Sequence, residues 1–247
     1  MRRMNAADHL PADYRLVRLH VVVLLASWLV GTALVLAANA VAPTTTPAPP
    51  ITAGYLAVLR GSWGWYATGY ALFFLADSAI ALLGVSLAAW LRPGAGFRGP
   101  AIMILFALSG MLGVLGDVRM LGAAQLFRLG SPLLTADAAP AFLDELNTTC
   151  NWLSAASFLP AGVATWLTCT AARATGVESG WIALTRFGAL YQIAAGLISA
   201  AALLSGQPFL TNLALIGAIV GMPIFAAVWL GWMLREMKSQ SHRKGRP

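Results

Sequence analysis

Asp77 lies in the stretch Phe73-Phe74-Leu75-Ala76-Asp77-Ser78, about halfway along a long apolar run, and no other charge sits so deep in such a run. A carboxylate in hydrocarbon is costly, so it must face neighbouring helices. There it either carries a proton or anchors a substrate, or it accepts a hydrogen bond from Ser, Thr, Asn or Tyr. Asp117 and Arg119 fall near the outer end of the next apolar run, two residues apart and hence on different helix faces. An inward-turning Arg119 would neutralise Asp77 or Asp117. Arg186, Tyr191 and Gln192 form a polar group on a fifth run, with Arg186 shallow enough to snorkel to the inner surface. Asn147, Asn151, Ser154 and Ser157 mark the outer half of a fourth. Asp77, Asp117, Arg119, Tyr191, Gln192 and Asn151 are therefore the candidates for a small, outward-opening polar pocket that takes a proton or substrate. Interhelical hydrogen bonding alone would also account for them.

Other chemistries lack their residues. His9 and His242 are in the tails and His20 is at the edge of the first run, which leaves no paired histidines for haem or a metal hydrolase. No Lys lies within a run, and there is no phosphate-binding Gly-rich loop, Cys-x-x-Cys or zinc-protease motif. No catalytic residue, metal site or cofactor is expected. Cys150 and Cys169 are 19 residues apart near opposite ends of one run, too far to form a disulfide along a helix. Asn147-Thr148-Thr149 fits a glycosylation acceptor, which has meaning only in a host that glycosylates.

The elements that position these residues follow from composition. Of 247 residues, 59% are apolar and 10% charged, against about 25% charged in a soluble domain. Disorder and a disulfide-stapled scaffold are both excluded. At roughly 20 residues per span there is room for about six helices and no sizeable soluble domain. The apolar runs are Leu19 to Ala42, Tyr66 to Leu91, Ala101 to Leu121, Trp152 to Ala172, Trp181 to Leu204 and Phe209 to Leu234. The expected fold is all-α, one polytopic membrane bundle of six transmembrane helices over residues 1–247, with a Pro-rich outer connection at 43–65 and a basic tail at 235–247.

Within that connection, Pro43 to Pro50 reads as a polyproline spacer, and Ile51 to Arg60 as an interfacial or re-entrant piece. The second outer connection, Gly122 to Asn151, carries Asp137, Asp144 and Glu145, with Pro140 placed to begin a short surface helix. Trp63, Trp65 and Tyr66 mark one membrane boundary, and Trp90, Trp181, Trp229 and Trp232 the other, as aromatic belts do. Arg92 to Gly96 is a tight turn.

Thirteen of the 16 Lys and Arg residues fall on the side of the termini, and only Arg60, Arg119 and Arg128 on the other, so both termini are expected to be cytoplasmic. The first run imitates a secretory signal, but it is too long for one and Pro43 follows the best cleavage triplet, which favours an uncleaved anchor. Gly110, Gly113 and Gly116, then Gly188 and Gly196, then Gly217 and Gly221, allow close helix approach. Packing within the bundle is favoured over a dimer motif. Pro160 and Pro223 interrupt helices near mid-membrane and free carbonyls there.

The order of features resembles a bacterial six-helix membrane family catalogued as domain of unknown function 4386. The similar elements are a second helix with one central acid running into Leu87 to Pro93, a polar approach to the fourth helix at Asp144 to Trp152, and a last helix with Pro223-Ile224-Phe225 before Trp229-Leu230. That resemblance implies the six-helix fold and transfers no activity to any residue. The expected protein is a multi-pass component of the bacterial inner membrane, first a small transporter or proton-coupled carrier. Second is a noncatalytic assembly or regulatory subunit that docks a membrane partner or a second copy through small-residue faces. A lipid or quinone enzyme ranks third. The partners expected are the lipid bilayer and such a membrane protein, with no nucleic acid.

Overall fold

The computed structural model describes residues 10–41, 52–131, 134–135 and 137–244, among which every regular element is helical. The helices are α1 (Leu10–Val41), α2 (Ala53–Trp90), α3 (Arg92–Ala95), α4 (Arg98–Leu129), α5 (Ala139–Ala172), α6 (Ser179–Ser205), α7 (Pro208–Ile216) and α8 (Met222–Lys244). A π-helical turn, Gly217–Gly221, joins α7 to α8, and the two together make one span. Six helices are thus long and apolar enough to cross a membrane. The expected polytopic bundle is present.

Local chemistry sets the boundaries. The Thr52 hydroxyl caps α2 by accepting the Tyr55 N–H at 3.2 Å. Gly130, at φ 64°, closes α4 in the left-handed conformation, its N–H bonded to the Leu126 and Phe127 carbonyls. Pro140 opens α5 and Pro208 opens α7, positions where a missing N–H costs nothing.

Three expectations change. Residues 53–60 are the first turns of the 38-residue α2, so they are neither a re-entrant piece nor part of a loose connection. Pro140 starts the long α5 itself, which puts Asp144 and Glu145 on a spanning helix and shrinks the second connection to residues 130–138. Residues 235–244 of the basic tail continue α8, which buries Glu236 and Met237. The proline spacer at 43–50 lies outside the described residues.

Helix α2 packs between α1 and α4, α5 between α4 and α6, and α8 touches α1 and α6. Two cores result. At the arginine-rich end, α1, α2, α4, α5 and α8 and the start of α6 enclose Leu87, Leu91, Ile102, Trp181, Leu230 and Met233. The core at the far end draws only on α1, α2, α4, α5 and the α4–α5 connection, around Leu59, Trp63, Tyr66 and Phe127. No side chain of α7 is buried.

Trp181 and Trp229 correct the aromatic-belt reading, since they are 0% and 3% exposed and belong to the core. Trp229 stacks on Trp181 at 5.8 Å and on Phe225 at 5.9 Å, while Trp90 meets Trp181 edge-on at 5.4 Å. Every indole in this plug has a hydrogen-bond acceptor: Trp181 donates to the Trp229 carbonyl, Trp229 to the Thr185 hydroxyl at 2.8 Å, and Trp90 to the Gln240 amide.

Candidate functional site

Side chains on a helix lean toward its N-terminus. Because α2 and α4 run antiparallel, an acid on each can lean toward the other, and Asp77 and Asp117 do so. Their carboxyl groups lie close enough together to interact. Gly113 makes this contact fit, because a Cβ there would collide with the Asp77 carboxyl group. Gly110 performs the same service one turn away for the Asp77 backbone carbonyl. Asp117 is buried and its Oδ2 has no hydrogen-bond partner, while Asp77 is partly buried.

An ionised carboxylate can only accept hydrogen bonds. Two neighbouring carboxyl groups in an apolar interior can share one proton, whereas ionising both would place two like charges side by side. No cation intervenes, since neither acid forms an ion pair among the described residues. Tyr70 and Cys150 are close enough to Asp117 to feel its charge, and the Cys150 thiol donates to the Gly116 carbonyl at 3.6 Å. Farther out, the Tyr66 hydroxyl donates to Asn39 Oδ1 at 2.7 Å.

The remaining candidates do not join this pair. Arg119 turns away to Glu145, with Nη2 at 2.6 and 2.8 Å from its two oxygens, and Thr149 adds a bond to the same carboxylate. Tyr191 donates to the Gly217 carbonyl of the π-turn at 2.7 Å, with Gly221 making room for its hydroxyl. That bond serves the backbone displaced by Pro223, whose ring cannot fit a regular α-turn. Gln192 accepts from the buried Thr165 hydroxyl at 3.0 Å, and Arg186 lies over the Trp166 ring at 5.6 Å. Asn151 is exposed on α5. The six candidates therefore separate into one acid pair and several local contacts.

Both cysteines are free, and no cluster of potential metal ligands occurs among the described residues. The pairing of Asp117 with Asp77 escapes a reading of either run alone. A signal was available in Gly113, four residues before Asp117 on the same face, which leaves space where another helix's side chain can enter.

The fold and its spans define a multi-pass membrane protein. No family model, curated protein or solved structure matches the chain.

Proposed function

We propose that this chain is a small proton-coupled carrier of the bacterial inner membrane, with Asp77 and Asp117 as its proton-binding pair and both termini cytoplasmic. The observation that supports it is the close approach of two carboxyl groups from antiparallel spans over Gly113, neither of them in an ion pair among the described residues. Loss of the shared proton turns the α2–α4 contact from attractive to repulsive, and this is how proton binding would move helices. The aromatic plug packs the arginine-rich half, and the absence of buried side chains on α7 supports access from the far half.

The docking-subunit reading is less favoured, because most of the small-residue positions named for it meet neighbouring helices of the same bundle. Gly110 and Gly113 receive α2, Gly188 receives the Phe225 ring, Gly196 meets α5 and Gly221 meets Tyr191.

The test uses proteoliposomes holding a pH-sensitive dye, exposed in turn to amino acids, sugars, carboxylates and organic cations. At least one class should move protons with wild-type protein and none with Asp77→Asn. Proton movement unchanged by Asp77→Asn, or absent with every class in the wild type, would overturn the reading.

A further inference from the structure

Between Asp77 and Asp117 the chain contains no acidic residue, and its turn at the arginine-rich end carries Arg92 and Arg98. Neither arginine has a carboxylate partner among the described residues, in contrast to Arg119 and Arg235. Beside them a groove of about 460 Å³ opens between α2, α3 and α4. Its wall is built from Val85, Ala88, Ala89, Gly99 and Met103, with Arg92 at one end. Small residues form the depression, while Val85 and Met103 stand 47% and 38% exposed along it.

Its placement decides what can fill it. Val85 to Arg92 spans seven residues, about 10 Å from α2 to the first residue of α3, and runs from the hydrocarbon region to the end of the span. The apolar wall therefore faces acyl chains, and the unpaired guanidinium lies at headgroup level, where a cation attracts phosphate. A zwitterionic lipid would bring its own cation to that place. An anionic lipid complements it.

We propose that this groove binds an anionic phospholipid, with an acyl chain along Val85, Ala89 and Met103 and the headgroup phosphate on Arg92. The site is independent of the acid pair.

Native mass spectrometry of the full-length protein, released from nanodiscs of equal phosphatidylglycerol and phosphatidylcholine with matched chains, tests it. Wild-type protein should retain phosphatidylglycerol over phosphatidylcholine by roughly fivefold, the preference expected of one interfacial cation. Arg92→Gln should bring the ratio near one. Ala89→Leu, an exposed position whose larger side chain fills the groove, should reduce retention of the first bound lipid. Equal retention of both lipids by the wild type would overturn the proposal. So would a preference that survives both substitutions, or one that falls only with Arg98→Gln.

Discussion

The two halves of the bundle handle buried polar atoms in opposite ways. In the plug at the arginine-rich end, Trp90, Trp181 and Trp229 each donate their indole N–H to an acceptor on another helix. At the far half, Trp63 is just as buried, stacked 4.5 Å from Phe127, yet its Nε1 has no partner, and neither does Asp117 Oδ2. Unmet hydrogen bonds in a low-dielectric interior cost free energy. One half is fixed by complete pairing. The other brings two acids together and leaves a carboxylate oxygen and an indole N–H unpaired.

Substitutions that exchange the two conditions test the difference between the halves. The largest effect belongs to Trp181→Ala, which removes the centre of the plug and should cost about 3–5 kcal/mol in unfolding measurements in detergent. Next comes Thr185→Val, which strands the Trp229 N–H in the core and should cost about 1–3 kcal/mol. Gly113→Ala should cost a similar amount, about 1–3 kcal/mol by overpacking, and should also displace the Asp77 carboxyl group from Asp117. Trp63→Phe should change stability by less than about 1 kcal/mol, because the donor it deletes is unpaired. A Trp63→Phe loss as large as that of Thr185→Val would erase the distinction between the halves.

The smallest effect lies at the membrane surface on the arginine-rich end. Glu178 accepts from Trp232 at 3.1 Å and from Arg235 at 3.0 Å, tying the start of α6 to α8. The Trp232 hydrogen bond first, and then the hydrogen bond and charge of Arg235, hold its carboxyl group below the usual value of 4.5. A folded-state pKa lowered in this way stabilises the fold above the unfolded value, and the contribution disappears as pH falls through the folded value. The melting temperature of Glu178→Gln should therefore lie slightly below wild type at pH 7. The gap should close below the ordinary carboxylate range.

Much of this architecture is legible in the sequence, for reasons that differ by element. Six spans follow from apolar run length, a one-dimensional property, and Pro140 marks a helix start because its missing N–H is local chemistry. The span limits are less legible, since α2 extends to Ala53 and α5 to Ala139 through residues that are helical without being strongly apolar. Which way a boundary tryptophan faces depends on its neighbours across helices, which is why Trp181 and Trp229 enter the core and form no belt. Asp77 announces itself by depth. Its partner does not, because the Asp77–Asp117 contact comes from two helices leaning together over Gly113. Arg119 reads as a counter-ion for those acids until Glu145, carried on the extended α5, takes it.

Infrared spectroscopy of the purified protein reports the proposed shared proton most directly. At neutral pH the wild type should show the C=O stretch of a protonated carboxylic acid, shifted by deuterium exchange and absent from the Asp77→Asn/Asp117→Asn double variant. A wild-type spectrum without that band, or a band that persists in the double variant, would contradict the paired-acid site.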